Sequence, residues 1–175
     1  MSIRQFNHIS PRFHETSYID QDATVIGDVT IGKDSSIWPR CAVRGDVHKI
    51  MIGDRTNIQD GSIVHVTADN RFNPGGFPTN IGNDVTIGHG AVIHACTIGH
   101  FSLIGMGATL LDGAIIEDEV MVAAGSVVPP GKVLESGFLW LGSPVKKARV
   151  LTLKEKEYLH FSSQHYVNLK NQYML

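Results

Sequence analysis

The sequence predicts an all-β protein, a single-stranded parallel β-helix of about six coils that is followed by a C-terminal α-helix. Three observations predict it: aliphatic residues recur every six positions, glycines stand beside many of them, and a helical pattern replaces the repeat near the end of the chain. Neither an α-helix nor an ordinary strand has this period, whereas a short strand followed by a tight turn does. A β-sandwich is disfavoured because its strands alternate with a period of two.

The six-residue repeat defines the β-helix over residues 12–145. Its aliphatic positions are Ile19, Val25, Ile31, Ile37, Val43, Ile52, Ile58, Val64, Ile81, Ile87, Ile93, Ile98, Ile104, Leu110, Ile116, Val122, Val128 and Leu134. Three such units close a triangular coil of about 18 residues, and successive coils stack at the strand spacing of about 4.8 Å. The aliphatic side chains therefore point inward and form the core.

Two segments depart from the repeat. Residues 66–80 contain Pro74, Gly75, Gly76 and Pro78 and are interpreted as an exposed loop expelled from the third coil. Loops of this length are usually functional. Beyond Pro144, a T-x-x-E capping box precedes apolar residues at helical spacing, which predicts a C-terminal helix over residues 152–173.

Length and charge restrict the classes of function. The 175 residues are expected to form a single domain, 1–175. With 15 Lys and Arg against 17 Asp and Glu, the net charge is −2, which argues against a nucleic-acid or anionic membrane partner. No apolar stretch approaches the length of a membrane span, so we expect a soluble, cytoplasmic protein that acts on a small molecule. Cys41 and Cys96 lie in apolar, strand-like surroundings and are expected to be buried thiols.

When the sequence is wound into coils, three histidines become a candidate metal site. His65 follows Val64, and His94 follows Ile93 at the same place one coil later, so the two side chains are stacked neighbours. Arg44 precedes them in this column. His89 belongs to another face, above Asp60.

A metal bound by the stacked pair needs a third ligand. Zinc prefers a tetrahedral site, and three imidazoles with one open position are typical of catalytic zinc, although Co²⁺ or Fe²⁺ could also bind. A threefold homotrimer would bring the face that carries His89 against the neighbour's histidine pair. The sequence therefore predicts a metal at each subunit interface.

These residues resemble a known family. The segments Arg44-Gly45-Asp46 and Asn57-Ile58-Gln59-Asp60, together with His65, His89 and His94, are similar to the gamma-class carbonic anhydrases, and residues 19–145 look like the bacterial YrdA-type branch. The resemblance implies that the β-helix is left-handed. It also implies that His65 and His94 come from one subunit and His89 from the next.

The same resemblance implies roles for other residues. Arg44 and Asp46 would form an ion pair that steadies the interface, and Gln59 would orient metal-bound solvent within a polar network that includes Asp60. Tyr166 and Asn168 would line the pocket. From the residues alone, two structural interpretations remain possible. Arg44 and Asp46 could form a salt bridge with a purely structural role, and residues 59–60 could form a turn whose side chains bond only to their own backbone.

The resemblance implies hydration of carbon dioxide to bicarbonate by a zinc-dependent lyase. Activity is expected to be weak, because Val47 stands where the best-studied gamma enzymes have an acidic residue, and the expelled loop offers Asp69 but no glutamate. Three alternatives stay open. They are an acyl-CoA thioesterase or small hydrolase that uses the same metal, a metal-free hexapeptide acyltransferase, and a metal-stabilised scaffold.

Overall fold

The computed structural model describes residues 2–175, which form short strands and one long helix. The strands are β1 Ser2–Arg4, β2 Arg12–Phe13, β3 Tyr18–Ile19, β4 Thr24–Ile31, β5 Ser36–Ile37, β6 Ala42–Ile52, β7 Asn57–Ile58, β8 Ile63–His65, β9 Thr79–Ile81, β10 Thr86–Ile87, β11 Val92–His94, β12 Thr97–Ile98, β13 Leu103–Ile104, β14 Thr109–Leu110, β15 Ile115–Ile116, β16 Met121–Val122, β17 Val127–Val128, β18 Val133–Leu134, β19 Phe138–Gly142 and β20 Val145–Val150, and the helix is α1 Leu153–Tyr173.

The strands build a parallel β-solenoid with three faces, which confirms the predicted fold class. The first face stacks β3, β5, β7, β10, β13, β16 and β19. The second and third faces belong to one sheet, because β4 and β6 each continue around a corner of the triangle. On the second face β8 and β11 pair in register, so that Val64 lies beside Ile93 and His65 beside His94.

The solenoid is longer than the six coils predicted, and its first strand precedes residue 12. At its start, β1 pairs with β4 and places Ile3 beside Val25. At its end, Trp140 pairs with Val122 and is buried. The repeat does not reveal these coils, because a turn interrupts the first one and an aromatic residue replaces the aliphatic in the last. An antiparallel strand, β20, then pairs with β19 and covers its open edge.

The core consists of the inward aliphatic side chains of the repeat. Ile58, Ile87 and Ile104 are fully buried one above another on the first face. Burial of each such side chain contributes about 1.5–3 kcal/mol. The repeat therefore supplies both the fold and most of its stabilisation. The thiols of Cys41 and Cys96 are free and buried, as expected.

The expelled loop comprises residues 66–78, since β8 ends at His65 and β9 begins at Thr79. Its neck is a two-stranded bridge between Thr67 and Phe77. The ring of Phe72 is 75% exposed, so the far end of the loop projects into solvent.

Helix α1 packs along the first face. Its N-terminus has the predicted capping box: the Glu155 amide donates to the Thr152 hydroxyl, and the Thr152 amide donates to the Glu155 carboxylate. The buried ring of Trp38 contacts Tyr166 and Tyr173, with ring centroids 5.6 and 5.2 Å away. Within residues 2–175, no helix has both the length and the apolar character needed to cross a membrane. The cytoplasmic location stays a prediction.

Near its end, α1 carries a buried lysine. The Lys170 side chain is 2% exposed, and its ammonium lies 3.2 Å from Oδ1 of Asp34, whose side chain is 24% exposed. Asp34 has a positive φ of 56°. Asparagine also tolerates that backbone conformation, so an Asp34→Asn change removes the charge without adding backbone strain.

We predict that the two partners of this pair contribute unequally to stability. Asp34→Asn leaves a buried ammonium without its counter-ion and is expected to lower the free energy of unfolding by about 3 kcal/mol. Lys170→Met keeps the side-chain volume and leaves a carboxylate that water reaches, so its cost is expected to be about 1 kcal/mol. Urea unfolding of both variants measures the difference. A larger loss for Lys170→Met would contradict the prediction.

Candidate functional site

The candidate site is centred on two histidines that neighbouring strands hold side by side. His65 ends β8 and His94 ends β11, and the in-register pairing of these strands places one residue beside the other. Their ring centroids are 5.2 Å apart. The Nδ1 atom of His65 faces the Nε2 atom of His94 at 3.1 Å.

In each ring, the nitrogen that points away from the other histidine, called the outer nitrogen, lies within hydrogen-bond distance of a carboxylate. The nitrogens that face each other are called the inner nitrogens. Nε2 of His65 lies 3.1 Å from Oδ1 of Asp46, and Nδ1 of His94 lies 2.7 Å from Oδ1 of Asp112. An ionised carboxylate only accepts hydrogen bonds, so each outer nitrogen is the donor to its carboxylate. In a neutral ring the inner nitrogen then presents a lone pair, and the two inner nitrogens face each other.

The electrostatics of the site favour this arrangement of charges. Burial opposes ionisation of Asp46, but hydrogen bonds from Arg44 and His65 outweigh it and lower the pKa of Asp46. For Asp112 the hydrogen bonds from Thr67 and His94 likewise outweigh burial and lower the pKa. Burial lowers the pKa of His65 despite its bond to Asp46. Ionised carboxylates therefore flank an imidazole that resists protonation.

The inner nitrogens of this pair fit a zinc ion. Two nitrogens that are each 2.0–2.1 Å from a tetrahedral zinc lie about 3.3 Å apart, close to the 3.1 Å observed here. A carboxylate on the outer nitrogen of each ligand is also the usual surrounding of histidine at zinc sites. No group of three or more His, Cys, Asp or Glu residues within 2–175 of a single chain is arranged to hold a metal. Within the described part of one chain, the pair thus offers two nitrogens to a metal and no third ligand.

His89 lies on the first face, apart from the pair. It follows β10, its side chain is 48% exposed, and its Nδ1 lies 2.9 Å from Oδ2 of Asp60. The stacking of His89 above Asp60 agrees with the sequence prediction. The exposed imidazole is oriented by this carboxylate and is accessible from outside the chain.

Gln59 lies near His89 in a buried polar chain that reaches helix α1. Gln59 Nε2 donates to Asn57 Oδ1 at 3.0 Å, and Asn57 Nδ2 donates to Thr86 Oγ1 at 3.1 Å. The Thr86 hydroxyl in turn lies 2.9 Å from that of Ser162 on α1. This chain holds the amide of Gln59 in place.

A groove of about 460 Å³ runs between the first face and α1. Gln59, His89 and Tyr166 lie along it, and burial raises the pKa of the Tyr166 hydroxyl. The other lining residues are mainly apolar and include Leu103, Met106, Met121, Ala124 and Leu139.

The structure brings the predicted residues together in two groups. One group, on the second face, contains His65, His94, Arg44 and Asp46, and the Arg44 guanidinium forms the predicted ion pair with Asp46. The other group lies between the first face and α1, where His89, Gln59 and Asp60 belong to the coils and Tyr166 to the helix. Asn168 is exposed on α1, contacts Gln164 and does not line the groove of its own chain.

Sequence reasoning missed Asp112 and Thr67, and it named Asn57 in a motif without giving it a role. Asp112 lies one coil beyond His94, two positions after the inward Leu110 that pairs with Ile93. The repeat register was therefore a signal that could have found it. No comparable signal pointed to Thr67, because its contact with Asp112 depends on the path of the expelled loop.

Comparisons with known proteins show which family the chain resembles. A family model described as "Bacterial transferase hexapeptide (six repeats)" matches residues 95–130. Protein YrdA of Escherichia coli (strain K12) is 51% identical over 172 residues, which cover 98% of this chain and 94% of that protein. The mitochondrial gamma carbonic anhydrase 2 of Arabidopsis thaliana is 48% identical over 160 residues, which cover 91% of this chain and 57% of that protein.

A solved structure agrees over nearly the whole chain. A hexapeptide transferase family protein from Anaplasma phagocytophilum is 42% identical and has a TM-score of 0.91, with 98% of each chain covered. Because these identities of 51% and 48% extend over 98% and 91% of its length, the chain belongs to the gamma-class carbonic anhydrase family, in its YrdA-type branch.

Proposed function

We propose that this chain forms a homotrimer that binds one zinc ion at each subunit interface and hydrates carbon dioxide to bicarbonate. The observation that carries the proposal is the pair of inner nitrogens on His65 and His94, 3.1 Å apart, whose outer nitrogens are both held by carboxylates. Two facing lone pairs repel each other unless a cation or a proton lies between them. A metal cation fits this position, because the 3.1 Å separation is close to that of two nitrogens bound to one tetrahedral zinc.

The third ligand is His89 of the partner subunit. Within one chain the pair and His89 lie on different faces, and a closed trimer brings different faces of neighbours together. Zinc suits three neutral imidazoles, while Fe²⁺ and Co²⁺ fit the same nitrogen ligands. The relative named as a gamma carbonic anhydrase supports the assignment of a metal cofactor.

When bound, zinc acts as a Lewis acid that makes water nucleophilic near neutral pH. The chain's own residues supply orientation. Asp60 holds the imidazole of His89, and Asn57 holds the amide of Gln59, which leaves the other polar atoms of Gln59 for solvent or substrate in the groove. The Arg44–Asp46 pair braces His65 from the other side.

Mixed trimers test whether each site is shared between subunits. His89→Ala and His94→Ala subunits should each bind little zinc alone. A mixed trimer would contain one interface at which an intact pair meets an intact His89, so a random equal mixture should recover about one quarter of the zinc bound by the unaltered trimer. Metal analysis and native mass spectrometry measure this recovery.

The outcome of mixing separates the alternatives. No recovery, with both variants trimeric, would contradict a shared site. Unaltered protein that stays metal-free in zinc-replete buffer would contradict the proposed centre and favour a metal-free acyltransferase.

Proton export is expected to limit hydration of carbon dioxide. Val47 is 46% exposed beside Asp46, where the gamma-class pattern places an acidic residue. We predict that turnover rises with external buffer concentration, and that Val47→Glu raises turnover in dilute buffer by about tenfold or more, because a carboxylate can relay the proton. Stopped-flow hydration assays on the zinc and iron forms measure both effects. Val47→Gln is the control, and equal turnover in the two variants would contradict the relay.

The groove favours a second candidate, hydrolysis of an acyl-CoA thioester at the same centre. Its volume lies within the range of small-molecule sites, and apolar side chains line it next to His89. Ala124→Trp would fill the groove and is expected to lower acyl-CoA hydrolysis at least tenfold while carbon dioxide hydration is retained, since carbon dioxide needs no cleft. Ala124→Ser is the matched control. Absence of thioester hydrolysis in the unaltered protein would eliminate this candidate.

A further inference from the structure

The loop of residues 66–78 leaves the coil directly after His65, and its neck is attached to the following coils. Thr67 and Phe77 exchange two backbone hydrogen bonds, of 3.0 and 2.9 Å, so the neck is a narrow antiparallel pair. The ring of Phe77 lies against Gly113. Together these contacts hold the neck over the corner formed by Asp112 and Gly113.

One end of the loop contacts the carboxylate that binds His94. The hydroxyl of Thr67 donates to Oδ2 of Asp112, while Oδ1 of the same carboxylate accepts from Nδ1 of His94 at 2.7 Å. Both oxygens are therefore engaged, and the carboxylate cannot turn without breaking one of the two bonds. The imidazole of His94 is held with Nδ1 protonated and Nε2 directed at His65.

Thr79, the first residue after the loop, links the backbones of the two histidine strands. The buried Thr79 hydroxyl donates to the carbonyl oxygen of His65 at 2.5 Å and accepts from the amide of Ala95 at 3.0 Å. Ala95 directly follows His94 and has a positive φ of 53°. Thr67 in the loop thus contacts the side chain that holds His94, and Thr79 directly after the loop contacts the backbone next to both histidines.

We propose that the expelled loop is a positioning device for the metal-binding pair, in which Asp112 selects the Nδ1–H tautomer of His94 and Thr67 holds Asp112 in place. The proposal rests on the zinc centre described above and adds two positioning residues to it. The loop acts through its neck. Its far end, around the exposed Phe72, contributes nothing to the contacts named here.

Zinc affinity tests the positioning role. Loss of a carboxylate behind a histidine ligand typically weakens metal binding by about 10–100-fold, which is the range expected for Asp112→Ala. Thr67→Val removes only the hydroxyl that holds Asp112, so its zinc affinity is expected to decrease by about tenfold, near the lower end of that range. Thr67→Ser keeps the hydroxyl and should bind zinc as the unaltered protein does. Affinity is measured by competition with a chelating dye, on protein whose trimeric state and circular dichroism are unchanged.

Two control variants separate positioning from general damage to the loop or the strands. Asp69→Asn changes a carboxylate at the far end of the same loop, where Oδ1 accepts from the Gly75 amide at 2.8 Å and an asparagine oxygen can do the same. Thr97→Val removes an exposed threonine hydroxyl on β12. Neither change should alter zinc affinity.

The metal-free protein provides a second measurement that does not depend on activity. Nitrogen-15 spectra of the histidine rings should show His94 protonated on Nδ1, and this preference should weaken in Thr67→Val and in Asp112→Ala but not in Thr67→Ser. If the unaltered protein bound no zinc, the proposed centre and its positioning device would both be overturned. If zinc bound tightly to the unaltered protein and equally tightly to Thr67→Val and Asp112→Ala, only the positioning device would be overturned.

Discussion

The structure depends on one constraint, the register in which successive coils stack. Parallel pairing places equivalent positions of neighbouring coils about 4.8 Å apart, and the inward aliphatic at every sixth residue prevents each strand from slipping. A slip of one residue would turn the aliphatic outward. The same constraint that buries Val64 beside Ile93 also places His65 beside His94. The hydrophobic core therefore determines the position of the polar site.

The departures from the repeat collect around the histidine pair. The extra residues in β6, where the pairing with β4 shifts, contain Asp46, which binds His65. The loop of residues 66–78 begins directly after His65. The single five-residue step, from Ile93 to Ile98, contains His94 and is accommodated by the positive φ of Ala95. A uniform solenoid offers equivalent positions in every coil, so these irregularities are what make one pair of coils different from the rest.

Helix α1 adds polar and apolar side chains to the surroundings of the first face. It closes the groove beside His89, and its Ser162 completes the buried chain that holds Gln59. The aromatic contacts of Trp38 and the buried ion pair of Lys170 anchor the helix to the early coils. Packing of α1 is thus linked to the orientation of the groups that line the groove.

The spacing of residues was enough to predict the parallel β-solenoid, the helix with its Thr152 cap, and the stacking of His65 with His94 and of His89 with Asp60. These features repeat along the chain or depend on residues close in sequence. Three contacts could be found only in the folded chain: Asp112 binds His94, Thr67 holds Asp112, and Asn57 holds Gln59. The repeat also did not predict the first and last coils, because a turn separates Ile3 from the rest of the repeat and an aromatic residue, Trp140, replaces the aliphatic in the last coil. The physical reason is that hydrogen bonds between side chains from different coils depend on rotamers and on the path of loops, which periodicity does not encode.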